Sequence, residues 1–375
     1  MSSQAAATSR PVWSRRALVV VTVLLVWAGL EPFDFARPNG VSAGGSGLEI
    51  EDFGLAATAS EIGWSMGHTP TPMTIEVWMT SGSIVPADRE PRAWLVLLDD
   101  SRLTPLGFRQ EGADLIIWDA VTNPGGDRWY NDRRLPGVLR AGQRQHLAIV
   151  SGEGPPRVYV DGRPAAAEGG FGIPLARAGE PFGGLLVLGS GPPWDTAWSG
   201  AFEAVALWGR VLADEELRDR SGWQTPGKVL RHSRHEALIA AFDFSTHGRR
   251  FENLSGGGQD LTLPEFFRPP KRVVLAPLDF EGWDSRWFAT DVLLNLGGFF
   301  LFGYLLVRAA PARPRATAVV LVAAALGFGL SLLFELVQVY MVTRSSTVQD
   351  LLLNTLGGLA GALSARWKTP EWLRT

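Results

Sequence analysis

Apolar and polar positions divide this chain into two kinds of region. Residues 17–30 form a run without a charged side chain, preceded by Arg10, Arg15 and Arg16. Near the other end, Trp287–Val307, Ala316–Val342 and Thr347–Ala365 each hold a single acid: Asp291, Glu335 and Asp350. A bilayer is crossed by about 20 apolar residues in a helix. The last three runs therefore predict transmembrane helices at 287–307, 316–342 and 347–365. The first predicts one at 17–35, if the flanking arginines reach back to the interface. Taken alone, that first run also fits a secretory signal with a small-residue cleavage site at 41–43.

Between these ends, residues 46–270 follow a different rhythm. Short alternating runs are separated by Gly/Pro turns: MTIEVWM at 73–79, AWLVLL at 93–98, DLIIW at 114–118, HLAIV at 146–150, RVYV at 157–160 and LLVL at 185–188. Many short strands spaced by turns predict an all-β sandwich rather than a parallel α/β sheet. The one good helix signal is LADEEL at 212–217, with Asp214 as N-cap and acids in the first turn.

Charge sharpens the division. The chain of 375 residues has a net charge of −3. Residues 31–286 carry 25 basic against 34 acidic residues, and the remainder 10 against 4, giving nets of −9 and +6. Basic residues cluster before the first run, between the second and third (Arg308, Arg313, Arg315) and in the tail (Arg366, Lys368, Arg374). The positive-inside bias puts both termini in the cytoplasm and residues 36–286 outside, with 1–16 and 366–375 as cytoplasmic ends. Four spans satisfy that arrangement, which favours an uncleaved first helix. No basic face for nucleic acid is visible. Without cysteine there is no disulfide, thiolate site or Cys nucleophile.

Within the sandwich region, Asp161-Gly162 reads as a hairpin turn, and His146 as a buried strand residue. His232 and His235 have metal-like spacing but sit in a charged stretch, which favours solvated surface. Glu49 and Glu51 share one face of a strand without the Glu-x-Asp-x-x-Glu pattern of glycosidases on such folds, so no catalytic residue is assigned. Two aromatic, acidic segments are candidate ligand-binding loops: Trp118, Asp119, Asp127, Trp129, Tyr130 and Asp132, then Trp194 and Trp198. Aromatic faces stack on sugars, and carboxylates supply oxygen ligands for Ca²⁺. Packing of the same tryptophans into the sandwich ends is the alternative, and any metal is left unknown.

The segments RQHLAIVSGEGPPRVYVDGRPA, LLVLGS and SGAFEAVALWGRVLADEEL, with MTIEVWM and AFDFS…FENLSGGGQDLTLP, resemble the laminin-G-like, concanavalin A-like jelly roll. That resemblance implies a module that binds glycans and in some members Ca²⁺.

The apolar runs hold paired polar residues at helical spacing: Asp291 with Asn295, Glu335 with Gln338, Asp350 with Asn354. Each pair shares a helix face. Such residues are costly in a bilayer unless paired or turned inward. Arg344, in the short loop between the last two runs, is placed to neutralise Glu335 or Asp350. Hydrogen-bonded packing of the helices and an outward-facing ligand pocket are both open readings. LEPFDF, DVLLNLGGFFLFGYLL and SLLFELVQVYMVTRSSTVQDLLLNTLGGLAGAL resemble the VanZ-like bacterial membrane proteins. The shared positions are Pro32, Phe33, Asn295, Gly303, Glu335, Gln338, Arg344, Asp350, Asn354 and Gly357, and Phe302 stands where that family often has proline. The resemblance implies a multi-pass plasma-membrane protein of the bacterial envelope, tied to glycopeptide-antibiotic tolerance.

The expected fold is thus a four-helix transmembrane bundle plus an inserted jelly roll. Expected partners are the lipid bilayer and an envelope glycan or cell-wall component. The alternatives are a membrane-embedded enzyme or lipid-ligand handler using the polar cluster, and a purely structural anchor.

Overall fold

The structure is a computed structural model that describes residues 12–64, 72–82, 91–98, 106–122, 128–152, 156–166, 182–191, 196–232, 236–269, 274–278, 286–310, 316–342 and 344–366. It divides into two compact units, Ala36–Lys271 and Met1–Phe35 with Arg272–Thr375.

Helix α1 (Val12–Leu30) opens the chain. Strands β1 (Val41–Gly44), β2 (Gly47–Ile50), β3 (Leu55–Thr58), β4 (Ile62–Trp64), β5 (Met73–Ser81), β6 (Arg92–Leu98), β7 (Leu106–Glu111), β8 (Asp114–Thr122), β9 (Arg128–Leu135), β10 (Arg144–Ser151), β11 (Arg157–Val160), β12 (Arg163–Ala165), β13 (Phe182–Gly189) and β14 (Gly200–Trp208) follow. Next come α2 (Asp214–Ser221), α3 (Pro226–His232), β15 (Leu238–Asp243), β16 (Arg250–Phe251) and β17 (Leu261–Thr262). The chain continues through α4 (Arg286–Ala309), α5 (Ala316–Gln338) and α6 (Val348–Ser364).

Two antiparallel sheets make the sandwich. One runs β1-β2-β14-β5-β10-β11-β12 with β15 also on β14; the other runs β16-β17-β3-β13-β6-β7-β8-β9 with β4 also on β13. Strand alternation sends Ile75, Val77, Met79, Leu147, Ile149, Val205 and Leu207 of the first sheet against Leu95, Leu97, Phe108, Ile117, Leu186 and Leu188 of the second. β5 is nevertheless buried on both faces. Its other face joins Trp78, Ala148, Tyr159, Ala206 and Trp208 to Leu217 of α2 and Leu230 of α3, a second core. Covering helices explain why Thr74, Glu76 and Trp78, the other face of MTIEVWM, are buried rather than solvated.

Local chemistry sets the turns. Asp161 and Gly162 both have positive φ, 51° and 71°, as a two-residue hairpin between β11 and β12 requires. The Asp161 Oδ1 also accepts from the His146 backbone N–H at 2.9 Å, fixing that turn to β10. The α2 cap differs from the sequence expectation: Ala213 is the N-cap, and Asp214 is the first helical residue. Capping falls to Glu216, whose carboxylate accepts from the Ala213 N–H at 3.1 Å and from Arg210 at 2.7 and 2.8 Å. The Arg210 hydrogen bonds hold the Glu216 carboxyl at about 2, so the cap stays ionised through most of the acid range. Helix α3 was not expected from the sequence. Its signal is Thr225-Pro226, a capping residue followed by a proline at the first helical position.

Three described helices are long and apolar enough to cross a membrane: Trp13–Leu30, Thr290–Ala309 and Thr317–Gln338. The expected fourth, α6, spans 17 residues, one shorter at each end than expected, and is capped by the Thr347 hydroxyl accepting from the Asp350 N–H at 3.0 Å. Helix α1 begins earlier than expected and ends at Leu30.

Candidate functional site

In the helical unit, α4 and α6 make the closest approach. A Cβ on Gly361 would stand 1.9 Å from the Phe300 carbonyl oxygen, on Gly303 2.0 Å from that of Gly358, and on Gly357 2.4 Å from that of Leu296. Such backbone-to-backbone contact is how helices pack tightly in lipid, where apolar burial supplies little drive.

This packing gathers the polar pairs at one end of the bundle, where α1 and α5 finish and α4 and α6 begin. Asp291, Asn295, Glu335, Gln338, Arg344, Asp350 and Asn354 all line one cavity of about 350 Å³. Its remaining wall is apolar, from Val21, Leu24 and Leu25 of α1, Leu294, Phe299 and Leu301 of α4 and Phe334 of α5. Asn295 Nδ2 donates to Asp350 Oδ1 at 2.7 Å. Glu335, 1% exposed, accepts from the Thr347 N–H at 2.7 Å. Gln338 Nε2 donates to the Gly29 carbonyl at 2.8 Å, and Asn354 Nδ2 to Ser331 Oγ at 3.0 Å.

Among the described residues Arg344 makes no ion pair with Glu335 or Asp350, although its charge acts on Asp350. Its Nε and Nη2 donate to the carbonyl oxygens of Glu31 and Ala28 at 3.0 and 3.1 Å. A guanidinium there satisfies orphan carbonyls at the end of α1 and complements the helix dipole. Helix α1 is thus a working wall of the bundle: Gln338 and Arg344 both bond to its last turn, and Gly29 lies against the Phe334 ring. Ser331 and Thr347 were missed from the sequence. Ser331 sits one turn before Glu335, on the same face, and that spacing was the available signal.

The sandwich candidates scatter. Trp118 is 2% exposed on β8, its ring lying over Gly107 with the Arg109 guanidinium 3.7 Å from the ring centroid. Trp198 is 1% exposed in the inter-sheet core; its Nε1 donates to Gln110 Oε1 at 2.8 Å and its ring meets Phe202 at 5.2 Å. Neither presents a face to a ligand. Both fill sandwich volume. Asp132 is exposed on β9, opposite Trp118 in the pairing. Asp119, Trp129 and Tyr130 lie on the β8–β9 ladder by their backbones, whereas Asp127, Trp194 and His235 lie outside the described residues. His232 is exposed and its Nδ1 lies 2.7 Å from the Lys228 carbonyl. Among the described residues no group of three His, Asp or Glu side chains is arranged to hold a metal ion. Glu49 and Glu51 are exposed and line an open cleft of about 630 Å³ with Thr80, Ser81 and Ser199.

His146 stands on the helix-covered face. It is 1% exposed, its Nε2 donating to Glu76 Oε1 at 3.0 Å. The fully buried Glu76 also accepts from Trp208 Nε1 at 2.7 Å and from Arg220 Nη1 at 3.2 Å. Helix α2 brings Arg220 onto this acid.

Two family models each match part of this chain. Residues 240–369 match the VanZ/LLP1 family model, and residues 56–218 match that of the concanavalin A-like lectin/glucanases superfamily. No curated protein matches the chain. Similar solved structures include a putative carbohydrate binding protein from Bacteroides ovatus, 14% identical over 59% of this chain and 62% of that one at a TM-score of 0.36. A heptameric SAP-like pentraxin from Limulus polyphemus is 13% identical over 60% and 95% at 0.35. Trypanosoma rangeli sialidase in complex with DANA is 16% identical over 50% and 29% at 0.35, so this chain spans less than a third of that enzyme's length. Likenesses this distant carry no argument about function. By its family matches, this chain joins a VanZ-like segment and a laminin-G-like, concanavalin A-like domain in one polypeptide.

Proposed function

We propose that this chain is a multi-pass membrane protein of the bacterial envelope whose helical unit binds an amphiphile and whose sandwich binds carbohydrate. The observation that carries the first part is the cavity itself. Seven polar side chains converge on one wall and aliphatic and aromatic side chains form the other, a lining suited to a headgroup and its chain. Hydrogen-bonded packing alone does not require an opening of 350 Å³. In titrations of the detergent-purified full chain with tetradecanol, tetradecylamine and tetradecyl phosphate, at least one should saturate at one per chain by native mass spectrometry. Gly298→Leu, whose Cβ would already lie 2.9 Å from Leu25, should fill the cavity and abolish that stoichiometry. If none of the three saturates, the reading is wrong.

The superfamily match supports the carbohydrate role, and the Glu49/Glu51 cleft offers acceptors for sugar hydroxyls. The distribution of basic residues supports four spans, with α6 as the shortest, cytoplasmic termini and an outward sandwich. The tie to glycopeptide tolerance rests on the VanZ resemblance. Right-side-out membrane vesicles carrying the chain should capture solubilised cell-wall polysaccharide, and inverted vesicles should not. Glu49→Ala with Glu51→Ala should weaken capture about tenfold, a loss of roughly 1.4 kcal/mol. Equal capture by both vesicle types would refute the topology, and no capture the carbohydrate role.

A further inference from the structure

We infer that the bundle cavity selects an amphiphile with an ammonium headgroup; the inference rests on the amphiphile reading above and adds the chemistry of the head. The nitrogen groups of the cavity already donate to protein oxygens. Arg344 is turned onto the end of α1, Asn295 onto Asp350, Gln338 onto Gly29 and Asn354 onto Ser331. What the cavity mostly offers a ligand is therefore oxygen, with Arg344 keeping further N–H donors beyond the two bound to the end of α1. Asn354 is 4% exposed and its Oδ1 accepts no hydrogen bond, although a buried acceptor left unpaired is costly. The Asp291 and Asp350 carboxyl groups lie close enough to act on each other, and Glu335 lines the same space. Three carboxyl groups against one guanidinium, itself hydrogen-bonded to the end of α1, match a ligand that carries positive charge and only donors. An ammonium supplies three N–H donors and no acceptor. A phosphate would bring acceptors to acceptors and negative charge to carboxylates.

The test compares the same three probes at a common chain length on the full chain. Tetradecylamine should bind at least about tenfold more tightly than tetradecanol, with tetradecyl phosphate weaker still, since a hydrogen bond to a charged group is commonly worth a factor of ten or more. Asp291→Asn and Asp350→Asn should each bring the amine down to the affinity of the alcohol. Melting temperatures in the same micelles check folding. If Asp350→Asn unfolds, Asp291→Asn decides, because Asp291 is exposed near the start of α4. Saturation by alcohol or phosphate as tight as by amine overturns the ammonium inference and leaves the amphiphile reading standing. Amine binding unchanged in the folded variants also overturns it. Saturation by none of the probes defeats both.

Discussion

Replacing Glu76 by alanine is expected to destabilise the sandwich by about 3–5 kcal/mol, the cost of removing one partner from a buried ion pair. Glu76 is wholly buried, and three donors converge on it: the His146 ring, the Trp208 indole and the Arg220 guanidinium. Arg220 is 6% exposed, so without the carboxylate its charge stays under α2 with little water to take over. Glu76→Gln keeps an acceptor for the indole but removes the charge, and its loss should fall between wild type and alanine. Glu76→Leu combined with Arg220→Met should recover part of the loss, since it removes the desolvated charge but leaves the His146 and Trp208 N–H groups without an acceptor. Denaturant unfolding followed by circular dichroism measures all three. A loss below about 1 kcal/mol in the alanine variant would place the cluster among interactions of surface strength.

The second large effect is expected in the bundle. Gly361→Val puts a side chain where even a Cβ meets the Phe300 carbonyl at 1.9 Å. The obstacle is backbone, so no rotamer change relieves it, and α4 and α6 must separate. Overpacking costs about 1–3 kcal/mol where neighbours adjust and more where they cannot. The expected outcome is a chain that reaches the membrane but elutes as aggregate and is cut rapidly by protease. Gly329→Val is the matched control: on α5, a Cβ at Gly329 meets nothing within 4 Å. Equal behaviour of the two variants would mean that the α4–α6 contact does not hold the bundle. Loss confined to Gly361→Val would locate its assembly there.

Much of this architecture was legible along the chain because local patterns were strong. The Asp161-Gly162 turn needed only its own backbone preference, and the polar pairs needed only helical spacing. What remained hidden depends on distant partners. Trp118 and Trp198 sit in acidic, turn-rich sequence that also describes a sugar-binding loop; only the pairing of β8 with β7, and the packing of Trp198 against Trp94 and Phe202, shows that they are interior. Arg344 was expected as a counter-ion because acids are its sequence neighbours, and its charge does act on Asp350. The end of α1, more than 300 residues earlier, takes its hydrogen bonds instead. The Glu76 cluster was invisible for the same reason, since its four members come from β5, β10, β14 and α2.

The buried tryptophans have a practical consequence. Trp78, Trp94, Trp118, Trp198 and Trp208 are all among the fully buried side chains of the sandwich, whereas Trp13 and Trp27 of α1 are more than half exposed on a helix apolar enough to face lipid. Opening the sandwich moves five indoles from an apolar interior into water, while those of α1 keep their surroundings as long as the bundle holds. Red-shifted intrinsic emission therefore reports on the sandwich in the intact, membrane-embedded chain, without a label and without cutting one unit from the other.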